Sequence, residues 1–207
     1  REVAVIIPVY NEGLVIKDVV NNVLKHFPVV VCVDDGSNDD SAKKINETDG
    51  FLVEHPINMG QGAALQTGVE FARQLDDIKY FVTFDADGQH RISDVKKMLS
   101  VIEKNKCDIV LGSRFLGEAV GISRTKKTVL KMAILFSNLT SGLKLTDTHN
   151  GLRVFNRKVA EELQITLPDM AHASEFLEII ARNGYIYDEI PVTIQYSDYS
   201  RSKGQSV

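Results

Sequence analysis

The sequence predicts an α/β fold with a mostly parallel central sheet flanked by helices. Residues 3–10, 29–33 and 80–84 form short, nearly uninterrupted apolar runs, the pattern of strands buried on both faces. Between the first two, Val15, Val19, Val20, Val23, Leu24 and Phe27 recur at helical spacing, and a strand–helix–strand unit of this length implies a parallel crossover. Two of the strands end in closely spaced aspartates, Asp34-Asp35 and Asp85-Ala86-Asp87, which places several carboxylates along one rim. Open α/β sheets keep their ligands at that rim.

Bulk properties narrow the class. The 207 residues suit one large or two small domains, and 43% hydrophobic with 25% charged residues describes a globular chain able to bury a core. A net charge of −4 gives no sign of a nucleic-acid partner. Cys32 and Cys107 sit inside apolar runs without metal-type spacing, so they are expected as buried thiols in a reducing compartment. No signal peptide and no uninterrupted apolar span of bilayer length is present. The chain opens on Arg1 and closes on Val207 after a polar segment, so a fragment of a longer protein, trimmed before C-terminal membrane segments, is expected.

Taken in order, the first strand is expected to be stopped by Pro8, with Asn11-Glu12-Gly13 turning the chain into a helix that ends before Pro28. The second strand runs into Asp34-Asp35-Gly36-Ser37, which reads equally as a ligand rim or as a loop with a helix cap. A helix over about 41–48 and a short strand over 51–54 follow. Asn58-Met59-Gly60-Gln61-Gly62 then opens a helix of small residues reaching about residue 75. Its glycines allow close backbone approach, whether for a diphosphate at the helix N-terminus or for tight packing on the sheet. Strand 80–84 breaks into Asp85-Ala86-Asp87-Gly88-Gln89-His90, where two carboxylates held close repel unless a cation or hydrogen bonds lie between them. Their oxygens, with the Gln89 amide as a third ligand, suit Mg²⁺ or Mn²⁺ better than zinc; a plain polar turn is the alternative.

Val95, Met98, Leu99 and Ile102 mark the next helix, and residues 108–115 form a strand ending in Arg114. Residues 117–131 are basic and glycine-broken, as in a mobile loop. Residues 129–145 read as a core helix, or as an amphipathic segment for a membrane surface. A polar loop then enters a strand near Arg153, two helices follow near 157–163 and 174–183, and the last strand covers 186–195. His55 and His149 have no spacing partner and read as loop residues.

Six segments occur together in an order that resembles a known family. They are Ile7-Pro8-Val9-Tyr10-Asn11-Glu12, Val33-Asp34-Asp35-Gly36-Ser37, residues 58–64, Asp85-Ala86-Asp87-Gly88-Gln89-His90, Gly112-Ser113-Arg114-Phe115 and residues 147–153. The chain is similar over nearly its whole length to family 2 glycosyltransferases of the GT-A (Rossmann-like) fold, most of all to the polyprenyl-phosphate glycosyltransferases. The resemblance implies one catalytic domain over 1–207, with a nucleotide-sugar and metal half at 1–115 and an acceptor half at 116–207. It implies inverting, metal-dependent transfer from a UDP- or GDP-sugar to a polyprenyl (undecaprenyl or dolichyl) phosphate, on the cytoplasmic face of the membrane. A homo-oligomer is compatible with it.

By the same resemblance, Pro8, Tyr10 and Glu12 hold nucleobase and ribose, and Asp34 and Asp35 contact the base. Gln61, Asp85 and Ala86 lie along the nucleotide, and Asp85, Asp87 and Gln89 form the metal set. Arg114 and Arg201, the latter within Arg201-Ser202-Lys203-Gly204-Gln205-Ser206, clamp the acceptor phosphate. Arg124 or Lys127 is the candidate for a further clamp. Glu175, with His172 near it, sits where other members place a catalytic base; an already anionic acceptor needs none, so an orienting role is the expectation here. Arg153 is expected to brace the acceptor loop or to touch substrate. A transferase extending a polysaccharide with Glu175 as base, and a binding module without turnover, are the competing readings. A sugar nucleotidyltransferase is set aside, because Pro8-Val9-Tyr10-Asn11-Glu12 replaces its glycine-rich basic loop.

Overall fold

A computed structural model describes residues 2–116, 134, 138, 142–148, 150–167 and 171–194. Seven strands among these form one sheet: β1 (Val3–Val9), β2 (Val29–Asp34), β3 (Phe51–Glu54), β4 (Tyr80–Thr83), β5 (Ile109–Ser113), β6 (Arg153–Asn156) and β7 (Tyr187–Pro191), in the spatial order β3-β2-β1-β4-β6-β5-β7. The first four are mutually parallel and β7 is parallel to β5, while β6 runs antiparallel to both of its neighbours. The mostly parallel sheet is therefore as expected. The reversed β6 had no signal in the sequence, because an apolar run carries no direction.

Among the described residues, the helices that flank the sheet are α1 (Ile16–Leu24), α2 (Ser41–Asn46), α3 (Gln61–Arg73), α4 (Ile92–Asn105), α5 (Arg157–Glu162) and α6 (Ala171–Asn183). Alternation along the strands feeds two cores, since successive side chains point to opposite faces. Ile6, Val31, Phe81 and Phe155 pack with Leu65, Val69, Phe176 and Ile180 of α3 and α6. Val5, Ile7, Val30, Cys32 and Val82 pack with Val20, Ile45, Met98 and Ile102 of α1, α2 and α4. At Gly68 a Cβ would fall 2.4 Å from Ile6 Cγ2, so the small-residue face of α3 is a packing requirement. Cys32 and Cys107 are both free and buried.

Several boundaries differ from expectation. Pro8 does not stop β1: it lies inside the strand, opposite Val33. Ile6 faces β4 through its carbonyl (Phe84 N, 2.9 Å) and Val9 faces β2 (Asp35 N, 2.8 Å), so Pro8 also faces β4. There β4 has already ended, at Thr83, and the missing N–H leaves no ladder bond unmade. Strand β5 stops at Ser113, short of Arg114, and β7 stops at Pro191. Of the expected 129–145 segment, Ile134, Leu143 and Leu145 are described and buried. Arg124, Lys127, His149, Arg201 and the rest of the 201–206 motif lie outside the described residues. Among the described residues no helix is long and apolar enough to cross a membrane.

Candidate active site

The early end of β4, the continuing ends of β1 and β2 and the start of β6 leave a cleft of about 350 Å³ at this rim. Pro8, Tyr10, Glu12 and Asp35 line one end; Asp85, Ala86 and Asp87 line the middle; Gly151, Arg153, His172 and Ala173 line the other. Gly60 and Gln61, at the start of α3, lie alongside. Pro8, Tyr10, Glu12, Asp35, Gln61, Asp85, Ala86 and Asp87 thus line one cleft.

Buried hydrogen bonds to Asp35 set the first end. Its carboxylate accepts from Met59 N and Gly60 N, both at 2.8 Å, and lies 2.7 Å from His55 Nδ1. The other ring nitrogen of His55 lies 2.9 Å from Thr67 Oγ1 on α3. His55 is therefore a half-buried bridge, not an unpartnered loop residue; its partners lie well away in the chain, and spacing could not reveal them. Gly60 sits at φ +92°, a conformation side chains rarely adopt, which lets its amide reach Asp35. Asp34 is buried behind the cleft and accepts from Ser37 N at 3.1 Å. Tyr10, 44% exposed, stands at the mouth; the turn after it is tied to the 37–41 loop by Asn11 N–Ser37 Oγ (2.9 Å) and Glu12 N–Ser41 Oγ (2.8 Å).

In the middle, Asp85 Oδ2 lies 2.8 Å from Nε2 of buried His90, whose ring packs edge-on against Phe84. A Cβ at Gly151, just before β6, would meet both Asp85 oxygens at 2.6 Å, so the glycine leaves room for that carboxylate. Burial works against the Asp85 charge, but His90, Arg153 and His172 outweigh it and hold the carboxyl below its ordinary range. Asp87 moves the other way: burial first, then the neighbouring Asp85, push it up to about 6. Gln89 is buried and donates to Asp87 through its backbone N–H (3.0 Å) and its amide (2.6 Å). It orients that carboxylate from below.

This donor set fits a divalent cation. Two carboxylates that oppose each other's ionisation are relieved by positive charge, and both open onto the cleft. Among the described residues no group of three or more His, Cys, Asp or Glu makes a closed metal site. Mg²⁺ and its analogues typically bind to one or two carboxylates and complete their shell with ligand phosphates and water.

At the far end, β6 starts at Arg153, which is buried, stacks 4.6 Å over the Phe176 ring and has its pKa lowered to about 10 by burial. Two expected catalytic residues lie off the cleft walls. Arg114 grips Asp147 with Nε–Oδ2 at 2.7 Å and Nη2–Oδ1 at 2.9 Å. Glu175 accepts from Thr166 N and Oγ1 and from Leu167 N, between 2.5 and 2.9 Å. Burial opposes the Glu175 charge, but these hydrogen bonds with His172 nearby keep the carboxyl below its ordinary range, unlike a poised base. The roles of His55 and Asp147 escaped the sequence reading, because each is defined by a partner distant in the chain.

Comparison with known proteins bears on this cleft. The sequence profile described as "Glycosyl transferase family 2" matches residues 4–164. The chain is 33% identical to a UDP-N-acetylglucosamine–dolichyl-phosphate N-acetylglucosaminyltransferase of Methanococcus voltae, over 98% of this chain and 89% of that protein. It is 28% identical to a polyprenol monophosphomannose synthase of Mycolicibacterium smegmatis, over 96% of this chain and 79% of the other. Among solved structures, glucosyl-3-phosphoglycerate synthase of Mycobacterium tuberculosis, in complex with Mn²⁺, uridine diphosphate and phosphoglyceric acid, superposes with a TM-score of 0.71 at 15% identity, covering 100% of this chain and 75% of that one.

Proposed function

The chain belongs to glycosyl transferase family 2, and from that premise we propose that it moves one sugar, with inversion, from a nucleotide diphosphate sugar to a polyprenyl phosphate at the cytoplasmic face of a membrane. The observation that carries this reading is the Asp85–Asp87 pair, opening midway along a cleft whose first end is built by Pro8, Tyr10 and Asp35. The acceptor class is supported by the similarity to a dolichyl-phosphate N-acetylglucosaminyltransferase and a polyprenol monophosphomannose synthase.

In this reading the base and ribose lie against Pro8, Tyr10 and Glu12. Asp35 holds the Met59 and Gly60 amides, so it shapes the base end as well as bordering it, with Asp34 buried behind. The start of α3, at Gly60 and Gln61, borders the diphosphate, and the dipole at a helix N-terminus favours anions. Asp85 and Asp87, with Gln89 orienting Asp87, hold Mg²⁺ or Mn²⁺. A cation held there would neutralise charge that grows on the departing diphosphate. His90 keeps Asp85 ionised and aimed.

The acceptor phosphate is already anionic near neutral pH, so it needs holding more than deprotonation. Arg114, fixed by Asp147, and Arg201 are its proposed clamps. The Glu175 carboxylate is occupied by the 166–167 backbone, which favours a role in shaping the cleft wall over general-base chemistry on a sugar hydroxyl.

The test is a transfer assay with radiolabelled UDP- and GDP-sugars, polyprenyl phosphate in detergent or vesicles, and Mg²⁺ or Mn²⁺. Label should enter the lipid phase with at least one donor and disappear with EDTA. Label passing only to an oligosaccharide, or to lipid with EDTA present, would refute the reading.

A further inference from the structure

Arg153 is 3% exposed, yet its guanidinium donates no hydrogen bond among the described residues, and Nη1 is wholly buried without a partner. Its guanidinium lies over the Phe176 ring, 4.6 Å from Cζ to the centroid, which orients the fork without satisfying it. The two nearest carboxylates are used elsewhere: Asp85 is paired with His90, and Asp147 with Arg114. Close by, Asn150 accepts from Leu152 N through Oδ1, while its buried Nδ2 has no partner. A buried charged donor left unmet is among the costlier features a fold can carry, and native structures keep such groups for a purpose. Arginine presents five donors in a fixed plane, suited to adjacent oxygens on one ligand.

The sheet order tells which part of a ligand Arg153 meets. Crossing the rim from β2 to β1, β4 and β6, the cleft passes Asp35, Tyr10, Asp85 and then Arg153. With a base against Tyr10 and Asp35 and a diphosphate at Asp85 and Asp87, the group beyond the diphosphate lies over Gly151 and Arg153. That group is the sugar.

We propose that Arg153 is a specificity-determining contact to the transferred sugar, its guanidinium taking neighbouring hydroxyl, carbonyl or carboxylate oxygens of the ring. This inference rests on the donor placement proposed above. It makes Arg153 a residue that the ligand-free fold holds at a loss, rather than a brace for the neighbouring loop.

Arg153→Met tests it, because methionine keeps an apolar stem and removes every donor. In the presence of Mn²⁺, the affinity of the nucleotide diphosphate alone is compared with that of its sugar adduct, using the UDP or GDP pair whose sugar is transferred by the wild type. The expected result is a melting temperature equal to or above that of the wild type, unchanged affinity for the bare nucleotide diphosphate, and a loss of about tenfold or more for the sugar nucleotide. A lowered melting temperature with unchanged sugar-nucleotide affinity would make Arg153 a structural brace. Equal losses for both ligands would move it to the diphosphate, and a raised acceptor KM alone would move it to the lipid phosphate; each overturns the inference while leaving the donor reading intact. A wild type that binds neither nucleotide pair overturns both.

Discussion

The Gly60 amide donates a 2.8 Å hydrogen bond to Asp35, so the carboxylate at the end of β2 fixes the mouth of α3 at the cleft. His55 completes the link by touching both Asp35 and Thr67.

His55→Ala should therefore act at a distance. It removes a half-buried partner from Asp35 and from Thr67, costing about 1–3 kcal/mol of stability in urea denaturation. It should also weaken nucleotide binding severalfold, since Gly60 and Gln61 lose their anchor. Full stability with wild-type nucleotide affinity would show that the bridge is dispensable.

Much of this end was legible in the sequence. The apolar runs named the strands because buried parallel strands have no polar face, and Asp34-Asp35 marked the rim. The His55 bridge was not legible, because the two residues it joins are brought to it only by β2 and α3. Pro8 misled for a related reason: whether a proline ends a strand depends on which neighbour its missing N–H would face, and here that neighbour has gone. Arg114 was legible as a cation at a strand end, but not as one half of a pair with Asp147.

Gly151→Ala should damage the site with little damage to the fold. Its methyl would arrive 2.6 Å from both Asp85 oxygens, a clash that a half-buried side chain resolves by turning away. Transfer and Mn²⁺-dependent nucleotide binding should fall at least tenfold, with the melting temperature nearly unchanged. Retained turnover would mean that the Asp85 position is not critical.

The pH dependence of cation binding follows from Asp87. Its folded pKa, raised to about 6, lies above the unfolded value, so the ligand-free protein loses stability from this group as pH rises through the ordinary carboxylate range towards 6, and the loss is complete above it. A cation repays that loss only where Asp87 is ionised. The thermal shift given by Mn²⁺ should thus be large well above pH 6 and shrink well below it, and Asp87→Asn should flatten the profile. An equal shift at both extremes, carried over into Asp87→Asn, would remove Asp87 from the cation site.

The Arg114–Asp147 pair predicts non-additive losses. The Asp147 side chain is almost fully buried and that of Arg114 is only 14% exposed, so removing either side chain takes a charged hydrogen-bond partner from the other in a poorly solvated place. Asp147→Ala and Arg114→Ala should each cost about 3 kcal/mol, and the double variant clearly less than their sum. Strict additivity in a denaturation cycle would show that the two side chains act independently.

Crystals grown with Mn²⁺ and a nucleotide diphosphate sugar test the central claim most directly. The account predicts the cation on Asp87, the diphosphate beside Asp85 and the base between Tyr10 and Asp35. A nucleotide seated away from Asp85 and Asp87 would contradict it.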